Sequence, residues 1–196
     1  MENIDVFESA FGLAPSSAGT KRRTAIFLLL AAFAGCASGL KIKTRVDPVT
    51  GRSVDRLEGN KIGPIPCGLT RDPCVFLDAE RISARQGATH FRLVAVYEGE
   101  EWLFVQPGKT LEFELSESGQ NFALFGEGSK ENRKILAEKK LRETAFYEIS
   151  PNNLQRLADA KKVTMKLRGD GFYVERTLTA GNLRNLQSFA QKFIGK

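Results

Sequence analysis

The sequence predicts an α+β fold, an antiparallel sheet packed by two helices near the C-terminus. Three observations predict it. Leu111, Phe113 and Leu115 alternate with Glu112 and Glu114, the period of two that a half-buried strand requires. Turn pairs such as Pro107-Gly108 and Ser118-Gly119 separate such runs at short intervals, which suits an antiparallel meander. Ser150-Pro151 and Thr179 supply helix-start chemistry, each ahead of leucines at helical spacing.

Taken in order, residues 75–84 and 90–97 are apolar-rich and read as the first two strands, and 101–105 reads as a third. Residues 111–115 follow the Pro107-Gly108 turn, and 121–125 return after Ser118-Gly119. Residues 126–143 break the pattern: six Lys and Arg are mixed with acids and only Ile135, Leu136 and Leu141 are large and apolar, so a solvated loop or short helix is expected. Residues 145–149 form the next strand. Ser150 then caps a helix with Pro151 at its first position, and Leu154, Leu157 and Ala158 share its apolar face. Val163, Met165 and Leu167 alternate with polar residues, and Gly169-Asp170-Gly171 closes a hairpin onto 172–178. Thr179 caps a last helix, with Leu183, Leu186, Phe189, Ala190 and Phe193 facing inward. The echo between Ile149-Ser150-x-x-Asn153-Leu154 and Leu178-Thr179-x-x-Asn182-Leu183 is read as two capped helices, each following a strand.

Ahead of this domain, Lys21-Arg22-Arg23 precedes an uncharged run over 25–34. A helix must have roughly 20 apolar residues to cross a hydrocarbon core of about 30 Å, so the run is too short to span. It suits the apolar segment of an export signal, with the cations held on the cytoplasmic side. Phe33-Ala34-Gly35-Cys36 resembles the lipobox of bacterial lipoproteins, with Phe33 where Leu is usual. The resemblance implies that the leader is cut before Cys36 and that Cys36 carries the lipid. Two or three acyl chains, at about 0.8 kcal/mol per buried CH₂, make a durable anchor. Ala37 stands where the family uses Asp for inner-membrane retention, which implies a cell-envelope location on the periplasmic side of an outer membrane, in an organism that has one. The expected organisation is a tail and signal over 1–35, a flexible tether over 36–66 and an α+β domain over 67–196. The C-terminal order of strand, Ser-Pro, helix, hairpin and helix also resembles a group of small bacterial envelope proteins, a likeness of pattern that implies no particular activity.

The chain has 196 residues and a net charge of +6. Removing 1–35 takes away three acids (Glu2, Asp5, Glu8) and three bases (Lys21, Arg22, Arg23), so the excess stays with the exported part. It is modest and spread out. Partners are expected at the membrane, through the lipid anchor, and among envelope proteins or polymers. Nucleic acid is not expected as a partner of an exported chain.

Cys67 and Cys74 remain as a pair for an oxidising compartment, spaced by a short loop with Gly68 and Pro73. A disulfide, two free thiols and a metal site are the readings; a metal would need two further ligands, and His90 is the only histidine. Neither metal nor cofactor is expected. No Ser stands in a Gly-x-Ser-x-Gly elbow and no Gly-rich phosphate loop is present. His90 begins an apolar strand and is expected to be structural. Glu100/Glu101 lie in a turn and Glu112/Glu114 on a solvent face, positions that do not suggest a cleft. Trp102, Tyr97 and Phe104 are expected in the sheet core. The sequence therefore points to a non-enzymatic binding or scaffolding lipoprotein, with an envelope hydrolase using carboxylates as the alternative.

Overall fold

A computed structural model describes residues 41–63, 72–84, 87–116, 121–137 and 139–194. The leader with Cys36, Cys67 and the Ser118-Gly119 turn lie outside the described residues. The described residues belong to a compact unit spanning Gly39–Lys196.

The strands are β1 (Ile42–Val46), β2 (Ser53–Leu57), β3 (Lys61–Ile62), β4 (Cys74–Ser83), β5 (Thr89–Gly99), β6 (Gly108–Leu115), β7 (Phe122–Gly126), β8 (Arg133–Ala137), β9 (Lys140–Ile149), β10 (Val163–Arg168) and β11 (Tyr173–Thr177). The helices are α1 (Pro151–Asp159), between β9 and β10, and α2 (Ala180–Phe193). Among the described residues all strands join one antiparallel sheet in the order β1-β2-β4-β5-β9-β7-β6-β10-β11, with β3 paired to β4 and β8 to β9. The α+β architecture is as the sequence predicts. Neighbours in sequence pair as hairpins, but β9 returns between β5 and β7, so the order departs from a simple meander.

One face of the sheet and the apolar faces of both helices form a shared core. The caps act as their sequences require: Ser150 Oγ accepts from Asn153 N at 3.2 Å, and Thr179 Oγ1 accepts from Asn182 N at 3.2 Å while Asn182 Oδ1 accepts from Thr179 N at 3.0 Å. Asn182 reaches further, donating to Lys61 O at 2.7 Å and to Asn60 Oδ1 at 3.0 Å, which ties the start of α2 to the N-terminal strands.

Three expectations are corrected. Residues 41–63 are not a flexible tether: β1, β2 and β3 extend the sheet from β4, burying Leu57, Asn60 and Ile62. Their polar composition reflects the edge position of β1, most of whose side chains point to water. Residues 126–143 are not a loop or helix but a short 3₁₀ turn at Lys130–Asn132, then β8 and the first part of β9. β8 is exposed on both faces, so no alternation marks it. Residues 101–105 alternate in burial, with Leu103 and Val105 inside, but form no strand. Phe104 takes a left-handed φ of 56° and is 39% exposed, so it is not core. Its N–H and that of Val105 donate to the buried Glu143 carboxylate, at 2.8 and 3.2 Å, rather than to a neighbouring strand.

Candidate functional site: a groove between two charged ladders

On the sheet face away from the helices, cross-strand register builds two rows of charge. Arg56, Glu80, Arg92 and Glu148 lie side by side on β2, β4, β5 and β9. Glu98, Arg142 and Lys134 lie side by side on β5, β9 and β8. Between them runs an apolar strip: Val94 opposite Phe146, and Val96 opposite Phe76. Successive rows fall two residues apart on each strand, the spacing that keeps side chains on one face.

A cavity of about 420–520 Å³ sits on either side of Phe146 and Asn132, which line both. The larger, 520 Å³, is lined by Phe76, Val96 and Phe146 of the apolar strip and by Arg45, Arg56, Asp78, Glu98, Lys134 and Arg142 among others. The smaller continues past Asn132 to Lys130, Glu131, Gln106 and Glu127. Together they make a groove across the outer face of β9, with volumes in the usual range for ligand sites.

The carboxylates of the larger cavity are all engaged by cations. Asp78 accepts from Arg56 Nη2 at 2.8 Å and from Asn60 N at 3.0 Å. Glu98 is bound by Arg142 and by Lys140 Nζ at 3.0 Å. Glu58 meets Lys43 at 2.5 Å and Arg45 at 3.6 Å. Beneath the rim, Glu80 holds both Arg56 and Arg92, and Arg92 lies 4.3 Å from the centre of the Phe146 ring. Such paired ions fix one another's positions.

Two of these acids are shifted in opposite directions. Burial pushes the Glu98 carboxyl up, but the hydrogen bonds and charges of Arg142 and Lys140 outweigh it, and the group sits below its ordinary 4.5. At Asp78 burial wins over Arg56, and the group sits above its ordinary 3.8. A lowered acid contributes stability above its unfolded pKa and loses it as pH falls; a raised acid contributes below its unfolded pKa and loses it as pH rises. Glu98→Gln is therefore expected to flatten the fall in unfolding free energy below about pH 4.5, and Asp78→Asn to flatten a loss that begins as pH climbs past about 3.8. Urea denaturation over a pH series reads both; a Glu98→Gln protein as acid-sensitive as the parent would contradict the first.

The residues singled out in the sequence lie elsewhere. His90 is exposed at the start of β5. Glu100 and Glu101 are exposed, and the Glu101 carbonyl accepts from the buried Tyr97 hydroxyl at 3.0 Å. Glu112 is held by Arg168 at 2.5 and 3.0 Å, and Glu114 faces water. Trp102 stacks at a tilt on Phe104, 6.2 Å between ring centres, outside the groove. Cys74 is buried at the head of β4, while Cys67 and Cys36 lie outside the described residues. Among the described residues no group of three or more His, Cys, Asp or Glu is placed to hold a metal ion, and no helix is long and apolar enough to cross a membrane.

What sequence reasoning missed is the set Arg56, Asp78, Glu80, Arg92, Glu98 and Arg142. A signal was present: Asp78 and Glu80 follow the apolar run Val75-Phe76-Leu77 and flank Ala79 within one strand, which asks for partners on adjacent strands. A scan against protein-family models, a search of curated proteins and a search of solved structures each return no match to this chain.

Proposed function

We propose that this protein is a lipid-anchored envelope protein whose α+β domain binds or scaffolds an envelope component through the groove over β9, without catalysing a reaction. The observation that carries the reading is the groove itself: an apolar strip between two charge ladders, with the acids of its larger cavity fixed by arginine or lysine. A surface of that kind offers shape and fixed charge to a ligand. The envelope location rests on Lys21 to Cys36 alone. Pairing of Cys67 with Cys74 belongs to the same proposal, since export exposes the chain to oxidising conditions.

The shorter link sharpens the anchoring. Only residues 37–41 separate Cys36 from β1, and an extended chain of that length reaches about 20 Å. An acylated Cys36 would therefore keep β1 close to the lipid headgroups, where a thirty-residue tether would not.

Cells given a clickable palmitate are expected to label the wild-type protein and not Cys36→Ala, with a mature mass that starts at Cys36. Absence of label from the wild type would remove the anchor from the proposal. Turnover of a cell-wall or lipid substrate that disappears in Asp78→Asn would replace the binding role with the hydrolase alternative.

A further inference from the structure

A second cavity, far from the groove in the fold, has a different chemistry. It lies where the end of β4 and the start of β5 meet the last turn of α2 and the first residue of α1, and it measures about 420 Å³. Its walls are Phe91, Phe193, Ile194 and Pro151, with Arg81 and Lys192 as its charged residues. Among the described residues no carboxylate lines it, whereas the two cavities of the groove each include at least two.

Both cations are gathered on one ring: Arg81 Cζ lies 5.1 Å and Lys192 Nζ 5.2 Å from the centre of Phe193. Phe193 is itself held edge-on by the buried Phe189 at 4.9 Å. The guanidinium is poorly satisfied. Arg81 Nη1 donates to Asp55 Oδ2 at a long 3.4 Å, and Arg81 Nε is buried with no acceptor among the described residues. Ser83, two residues along the same face of β4, also has a buried hydroxyl without a partner among the described residues, and Thr89 stands opposite it on β5. Orphaned buried donors are rare in folded proteins and commonly mark a place where a solvent molecule or ion belongs. Pro151 brings the positive end of α1 to the cavity, and Lys192 offsets the negative end of α2.

We infer that this cavity binds an amphiphilic anion, a carboxylate or phosphate head carrying an apolar chain. The head would lie against Arg81 and Lys192, and the chain against Phe91, Phe193 and Ile194. Charge-assisted hydrogen bonds to Arg are strong and directional, and an apolar wall excludes the water that would screen them. The inference does not depend on acylation of Cys36 or on the groove over β9.

The test is isothermal titration of the full chain, held in a neutral detergent, with four probes: octanoate, octyl phosphate, octanol and inorganic phosphate. Octanoate or octyl phosphate is expected to bind one per chain and at least about tenfold more tightly than octanol or phosphate; whichever head binds better identifies the source of the anion. Arg81→Gln is expected to weaken that binding about tenfold or more. Lys192 is exposed on the last turn of α2, so Lys192→Gln keeps the fold and is expected to weaken binding severalfold even where Arg81→Gln unfolds. Equal binding of octanol, equal binding of phosphate, or affinity untouched by Lys192→Gln in a folded protein would each overturn the assignment.

Discussion

Glu143→Ala is expected to destabilise the domain by about 3–5 kcal/mol, the loss associated with breaking a buried, hydrogen-bonded charge cluster. Glu143 is 1% exposed on β9 and collects the N–H groups of Phe104 and Val105, the Ser129 hydroxyl, and Arg133 Nε at 3.5 Å. Alanine would leave two backbone donors without their acceptor, each costing about 1–3 kcal/mol where water cannot reach, and would leave the Ser129 hydroxyl only its longer contact to Val105 O at 3.3 Å. It would also release Phe104, whose left-handed backbone is strained for a residue with a side chain and persists only while its neighbours hold it. Glu143→Gln keeps one oxygen but turns an amide NH₂ toward these donors, so it is expected to cost less than alanine and still more than about 1 kcal/mol. Phe104→Gly removes the strain and is expected to stay within about 1 kcal/mol of the parent. Urea unfolding followed by the fluorescence of Trp102, the only tryptophan, reports directly on this loop. A Glu143→Ala protein within about 1 kcal/mol of the parent would show that the loop stands without the carboxylate.

The same loop explains where sequence reading stopped. Which side of residues 102–105 faces inward was not legible, because Trp102, Leu103, Phe104 and Val105 are all apolar; the expectation of Trp102 and Phe104 in the core gives way to Leu103 and Val105. Hydrogen-bond partners were not legible: the acceptor for 104 and 105 lies on a strand about forty residues later, and no local pattern encodes that distance. Both helices, their caps and the 163–177 hairpin were legible, since each is decided by residues within a few positions of one another. β1 and β8 were not, because edge strands solvated on most sides lose the contrast between faces, and β2, although it lies between β1 and β4, has only Val54 and Leu57 as apolar residues. The groove failed for a related reason. Arg56, Glu80 and Arg92 read singly as surface charges, and only register across three strands turns them into a row.

Gly169→Ala is expected to cost about 3–4 kcal/mol, and the reason is contact rather than backbone freedom. Gly171, two residues on, has a φ of 98° with open space around it, so alanine there meets only the left-handed penalty of about 1–2 kcal/mol. Gly169 is not among the positive-φ glycines. Its N–H donates to Phe172 O at 2.9 Å to close the β10–β11 turn, and the next N–H, of Asp170, donates to Leu103 O at 3.0 Å. A Cβ on residue 169 would overlap that same Leu103 oxygen and press on the Leu103 side chain, which is fully buried. A backbone oxygen cannot rotate away as a side chain can. Relief would therefore require the hairpin to lift from the 102–106 loop, losing the Asp170–Leu103 bond and opening space around a core leucine. Leu103→Ala supplies the check. If both substitutions act on one contact, the double variant is expected to lose less than the sum of the two, by about 0.5–3 kcal/mol in a double-mutant cycle. Additive losses, or a Gly169→Ala protein no less stable than Gly171→Ala, would mean that the turn and the loop are not coupled and that the hairpin owes its place to the sheet ladder alone.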